Sequence, residues 1–387
     1  MIQKLKKNIK LSYIFRSIYT FSLTDGIWVL FLLQKGLPLW QVGIMESIYH
    51  AASLIAEVPS GALADLLGRK KVLMLSRVLA FVSSIPLILS NNFFILAINF
   101  VFTAWGSSLI SGTEEALVYD SFLGMGEEKR YFNTVGRLGF MAEVSQAAAV
   151  FVGGFIAKHS YILCFLIGMA IDVVAFAVCC FLTEPRMSGH CERVTIGKHF
   201  RLSFDVIRGD RHVRYLLLHY AVLSAFFVSV YFYSQEFYFS RGFDEVGISL
   251  ILLSVGASSS VGALLSERIA GRLGRYTEYL GGAAIAAGLM LMSVGDPWLS
   301  LAGYAAASFA SAMLEPYKSA QLNSRIPSEQ RATIISVSSM CFSVVMIVLF
   351  PVIGAFSDSF GLERIILALG GVLLLYNHIA SMIRRRQ

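Results

Sequence analysis

Eight carboxylates lie inside long apolar runs of this 387-residue chain: Asp25, Glu46, Glu57, Glu114, Glu115, Glu143, Asp172 and Glu315. A charge at the centre of a hydrocarbon-embedded helix costs about 2.5 kcal/mol or more on insertion scales, so each is a candidate for proton exchange, ion binding or substrate contact. Enzyme chemistry is not signalled. The chain holds no GxxxxGK[ST] phosphate loop, no HExxH helix and no GxSxG elbow. No cofactor or metal is expected, and energy for work must come from an ion gradient, a solute's own gradient or a partner subunit.

The elements that position these residues must be membrane spans. Hydrophobic residues make up 56% of the chain and charged residues 15%, against about 25% charged in soluble domains. Twelve apolar runs stand at 12–33, 41–60, 72–90, 94–122, 135–157, 161–183, 213–235, 247–267, 278–294, 298–322, 333–356 and 363–383. Helices of such length, at 1.5 Å per residue, cross a hydrocarbon core of about 30 Å. The net charge of +7 is distributed over loops, where it orients the chain, so no nucleic-acid partner is expected. Of 32 lysines and arginines, the loops expected outside hold Lys35, Lys158, Arg241 and Arg364. That asymmetry predicts a multi-pass protein of the cell membrane with both termini cytoplasmic. The start, MIQKLKKNIKLSYIF, resembles a signal peptide, but the apolar run after it is too long and lacks a cleavage site.

Residues 184–212 form the one long polar stretch and divide the chain near its midpoint, predicting bundles at 1–183 and 213–387 joined by a cytoplasmic linker. His190, Cys191 and His199 fall in that linker at a spacing that fits no zinc pattern. The five cysteines show no CxxC pair and read as free thiols. The halves look related. Glu128, Lys129 and Arg130 correspond to Glu329, Gln330 and Arg331, and the same offset pairs Glu114 with Glu315.

Between the second and third spans stands GALADLLGRKKVL, residues 61–73. It resembles the signature loop of the major facilitator superfamily, GxLaDrxGrkxxl. Gly61, Leu63, Ala64, Asp65, Gly68, Arg69, Lys70 and Leu73 match, while Leu66 stands where the family usually has arginine. ERIAGRLGR at 267–275 repeats the pattern weakly, with Gly274 and Arg275 at the places of Gly68 and Arg69 and Gly271 where Asp65 stands. The resemblance implies an all-α integral membrane fold of twelve transmembrane helices in two six-helix bundles. It also implies a latch in which Asp65 and Arg69 share a charge network with an acid at the end of span four, here Asp120, bridging to the second bundle in the outward-open state. Arg137, at the start of span five, is a further partner for Asp120. Lys70 and Lys71 have an equally good reading as contacts to anionic lipid.

Superfamily cavities are lined mainly by spans one, four, seven and ten, which singles out Asp25, Glu114, Glu115 and Glu315, with Glu143 of span five as a further candidate. Adjacent Glu114 and Glu115 point about 100° apart on a helix, so at most one faces a cavity squarely. Asp25, beside Gly26 in the middle of span one, is the first choice for a carboxylate that cycles protons, with a packing role as the alternative. Tyr231, Phe232, Tyr233, Phe237 and Tyr238 of span seven form either an aromatic wall for cargo or an interfacial belt. Drug and proton antiporters of the superfamily carry a glycine-rich motif in span five. This chain places Gly136, Ser145, Ala149, Gly153 and Gly154 at the glycine positions, small enough for close helix contact, and Val150 where the motif has proline.

EVPSGALADLLGRK and SGTEEALVYDS together resemble bacterial drug-efflux-like permeases. The leading expectation is a secondary active transporter: proton-coupled export of an amphipathic small molecule by alternating access, with protons and membrane lipids as partners, acting as a monomer. Uptake of a nutrient or metabolite by symport is the alternative, and a lipid-handling or sensory membrane protein the reading from another class. Embedded carboxylates without embedded arginines would favour cationic or neutral cargo.

Overall fold

A computed structural model describes residues 2–185, 208–325 and 331–385, and among these every regular element is a helix. The first half holds α1 (Ile2–Tyr19), α2 (Trp28–Gln34), α3 (Leu39–Leu67), α4 (Arg69–Leu89), α5 (Phe93–Ile110), α6 (Thr113–Leu123), α7 (Tyr131–Ala157) and α8 (Tyr161–Cys180). The second holds α9 (Arg211–Phe239), α10 (Glu245–Leu273), α11 (Thr277–Met292), α12 (Pro297–Asn323), α13 (Arg331–Phe360) and α14 (Leu362–Arg385). Eight helical segments among the described residues are long and apolar enough to cross a membrane, one of them, Glu245–Met292, containing both α10 and α11. With the split first span, α3 and α12, they make the twelve membrane helices of two six-helix bundles. The surface agrees, since Phe94, Ile98, Leu264 and Leu375 stand exposed on helices that in water would bury them.

Two expected spans are not continuous. Span one breaks at residues 20–27 into α1 and α2, and span four breaks at Ser111 and Gly112 into α5 and α6. The first break is TFSLTDGI, where threonine, serine and aspartate side chains compete for backbone hydrogen bonds and glycine adds flexibility. At the second, Gly112 takes φ +75°, a conformation costly for any residue with a Cβ.

The described residues of Met1–Gly36 and Ile48–Ile196 form one compact unit, and those of Leu37–Ser47 and Gly197–Gln387 form another. In the first, Asn8 accepts from Thr183 N (2.9 Å) and donates to Thr183 O (2.7 Å), tying α1 to the chain beyond α8. Phe15, Leu73, Leu117 and Cys179 form its core. Most of the linker, with His190, Cys191 and His199, lies outside the described residues.

The second unit includes the start of α3, which sequence alone assigned to the first bundle. Asp358 accepts from Leu39 N (3.1 Å) and Trp40 N (2.9 Å), capping amides that a helix start leaves unpaired. Ser47 Oγ donates to Ile347 O at 2.8 Å. The helices meet backbone to backbone, for a Cβ on Gly43 would lie 2.7 Å from Phe350 O, and one on Gly354 would strike Leu39 O. Gly288 and Gly303 allow the same close approach of α11 and α12. Tyr233, Phe237 and Tyr238, expected as a cargo wall or interfacial belt, are core residues instead. Tyr233 donates to Phe350 O at 2.9 Å, and Tyr238 bonds to Ser300 at 3.2 Å.

Gly354→Ala is expected to lower stability by about 1–3 kcal/mol through overpacking. Gly371→Ala, on α14 with open space around its Cβ position, is expected to be neutral or stabilising. Thermal unfolding of the two purified variants in one detergent checks the contrast.

Candidate functional site

The break in span one brings Asp25 out of a helical ladder and into a polar turn. Ser22 Oγ donates to Asp25 Oδ1 at 2.5 Å, and Gln146 Nε2 of α7 donates to Oδ2 at 3.0 Å. One residue earlier on α7, Ser145 Oγ donates to Ser17 O at 2.5 Å. About two turns further along, buried Gly153 lies so close to Leu23 O that any side chain would collide with it. The small residues predicted in span five therefore seat α7 against the unwound turn. Gly136, by contrast, has open space at its Cβ position.

The two breaks also create helix ends inside the bundle, and a charged cluster occupies them. Arg16 lies in the last turn of α1 and Glu114 in the first turn of α6. Each thus opposes the partial charge of its own helix end. Arg16 Nε is 2.8 Å from Glu114 Oε2, and the Tyr19 hydroxyl donates to the same oxygen at 3.1 Å. Glu115 is more exposed and stands 3.9 Å from Arg16. Arg77 of α4, also buried, pairs with Asp172 of α8 at 3.3 Å. Its guanidinium centre lies 5.2 Å from the Tyr19 ring centroid, within cation–π range.

This arrangement overturns the expectation of embedded carboxylates without embedded arginines. Arg16 and Arg77 face those carboxylates, and two guanidiniums balance Glu114 and Asp172. With these guanidiniums in place, the embedded charge does not favour cationic cargo. Arg77 was countable within the predicted third span, but only the fold pairs it with Asp172, 95 residues away.

At the signature loop, Arg69 Nη2 lies 2.8 Å from Asp120 Oδ2. The Asp65 side chain lies outside the described residues. Gly68 caps α4 with φ +89°, and its absent side chain leaves room for Glu184, the first residue of the expected linker. That carboxylate accepts from Arg69 N at 2.7 Å and Lys70 N at 2.9 Å. Lys70 Nζ donates to Cys180 O at 2.6 Å, which ties it to the end of α8. Gly61 has open space around it, and Arg137 is exposed on α7. Glu184, standing after α8 and before Pro185, carried no local signal, because its targets are backbone amides distant in sequence.

The remaining candidates are dispersed. Glu143 is exposed on α7, Glu57 is half-buried on α3, and Glu46 is buried in the part of α3 that belongs to the second unit. Glu315 pairs with Lys318 at 2.8 Å with its side chain 60% exposed, whereas the Glu114 side chain is 2% exposed. Sequence offset relates the two positions; their environments differ. Among the described residues no group of three or more His, Cys, Asp or Glu is arranged to hold a metal ion.

Broken spans that carry charge in the interior of a helical membrane bundle are a recurring feature of membrane carriers. The model of the Major Facilitator Superfamily matches residues 11–349, and the chain belongs to that family. It is a transporter and not an enzyme. It is 26% identical to an uncharacterized MFS-type transporter, YxaM, of Bacillus subtilis (strain 168), over 92% of both chains. An uncharacterized transporter of Buchnera aphidicola subsp. Schizaphis graminum is 22% identical over 49% of this chain and 48% of its own. Among solved structures, a bacterial homologue of the human lysosomal transporter Spinster superposes with a TM-score of 0.81 at 12% identity, over 99% of this chain and 97% of its own. A mutant of the nucleoside transporter NupG gives 0.80 at 14% over 97% and 99%, and a D-xylose–proton symporter 0.71 at 15% over 97% of both. These likenesses establish the fold.

Arg77→Leu strands Asp172 in the bundle interior and is expected to destabilise the protein by about 3–5 kcal/mol, while adding Asp172→Leu restores most of the loss. Melting temperatures of wild type, both single variants and the double variant test the pair. Glu184→Ala uncaps α4 and is expected to cost about 1–2 kcal/mol, read in the same assay.

Proposed function

We propose that this chain is a proton-coupled secondary transporter of an uncharged or weakly charged amphipathic small molecule. It works as a monomer by alternating access in the cell membrane, with both termini in the cytoplasm. The observation that carries the reading is Asp25 in the unwound turn of span one, bonded to Ser22 and Gln146. A serine hydroxyl can donate to a carboxylate and accept from a carboxylic acid, so protonation does not orphan the group. Interrupted helices near the bilayer midplane are also where secondary transporters commonly bind coupling ions and cargo. Arg16 and Arg77 are matched by Glu114 and Asp172, with Glu115 as a further carboxylate beside Arg16, so the buried guanidiniums leave no unmatched positive charge for an anionic cargo. The Arg69–Asp120 pair and the Glu184 cap lock the signature loop to its own bundle, as a latch that must be firm at one end requires.

Export is the direction supported by the resemblance of the signature and span-four segments to drug-efflux-like permeases. Uptake by symport is the second reading, favoured by fold likeness to proteins described as a nucleoside transporter and a D-xylose–proton symporter. Purified protein in liposomes with imposed pH and sodium gradients tests the coupling. Asp25→Asn is expected to abolish pH-driven accumulation while solute exchange at equal pH continues; unchanged pH-driven accumulation in this variant refutes the proton role. In cells, Asp25→Asn should lose drug resistance if the protein exports, or lose solute accumulation if it imports.

A further inference from the structure

At the end of the second unit where α9 begins and α14 finishes, a cavity of about 290 Å³ opens between these two helices. Its floor includes His219, 1% exposed. Tyr215 stacks on this imidazole at 5.1 Å and 12° and Tyr376 at 5.6 Å and 22°. With ring neighbours stacked on the imidazole, its hydrogen-bonding atoms remain on the ring edge, and both nitrogens lack a hydrogen-bond partner among the described residues. Leaving a buried polar group unsatisfied costs about 1–3 kcal/mol, which a ligand oxygen would recover.

The rim supplies the charge. Arg211 and Arg214 line the cavity, and neither has a carboxylate partner among the described residues. Arg384 is already neutralised by Glu278, and its guanidinium lies 5.6 Å from the Tyr215 ring. The cavity then continues onto an apolar outer surface, where Leu218 and Ile383 are 45% and 52% exposed. Two unmatched guanidiniums beside an unsatisfied imidazole suit a phosphate anion. A membrane-facing apolar strip leading away from them suits an acyl chain.

We propose that this cavity binds an anionic phospholipid, its phosphate between Arg211 and Arg214 and within reach of His219, its chain over Leu218 and Ile383. Basic pockets between membrane helices recognise acidic headgroups in this way. The site is separate from the Asp25 turn and does not depend on the transport mechanism assigned there.

Native mass spectrometry of the intact, delipidated protein titrated with phosphatidylglycerol or phosphatidylcholine tests the proposal, with inorganic phosphate as competitor. Phosphatidylglycerol should be retained in preference to phosphatidylcholine, and millimolar phosphate should not displace it. Arg211→Gln with Arg214→Gln, and separately His219→Phe, which keeps an aromatic ring between the tyrosines, should each weaken retention about tenfold. Equal retention of both lipids would reduce the site to an apolar groove, and displacement by phosphate would reduce it to a free-anion site; either overturns the proposal. So does unchanged retention in folded variants. The wild-type comparison of the two lipids decides the matter independently should a variant fail to fold.

Discussion

Charge inside a hydrocarbon slab must be matched at contact distance, and this constraint organises the first bundle. Arg16 and Glu114 meet this requirement twice over. They pair with each other at 2.8 Å, and each sits at the helix end whose partial charge is opposite to its own. Those helix ends exist inside the bundle because spans one and four are interrupted. The breaks and the buried charges therefore explain one another: without the interruptions, neither residue would have a helix terminus to oppose.

An unwound turn in a membrane must also have its backbone shielded from lipid. Gly153 allows α7 to lie directly against Leu23, while Ser145 and Gln146 bond to Ser17 and Asp25. Similar close approaches recur at Gly43, Gly354, Gly288 and Gly303 in the second unit. Small residues do two jobs here. They provide the close packing that drives helix association in lipid, where no hydrophobic effect separates helix from solvent, and they leave polar turns protected.

The signature loop shows how one short motif depends on a distant residue. Gly68 takes a backbone conformation open to glycine and clears space for Glu184, whose carboxylate then closes the start of α4. Arg69 reaches Asp120 from the same turn. Loop, span four and the end of span six are thus fixed to one another within a single bundle. A firm element of this kind is what a carrier needs if its bundles are to move as bodies.

The sequence alone determined the class, the number of spans and the location of the signature loop, because apolar length and cation asymmetry are local properties that a membrane reads residue by residue. It also singled out Asp25 and Glu114 as embedded acids. It did not reveal the helix breaks, although TFSLTDGI and SGT carry the local signs of them, since long apolar flanks outweighed short polar interruptions. Partnership was beyond it altogether. Arg77 with Asp172, Glu184 with the amides of Arg69 and Lys70, and the different surroundings of Glu114 and Glu315 are set by helices packing across many tens of residues. Tertiary structure decides them because a buried charge is stabilised by whatever lies within a few ångströms, and sequence separation does not measure that distance.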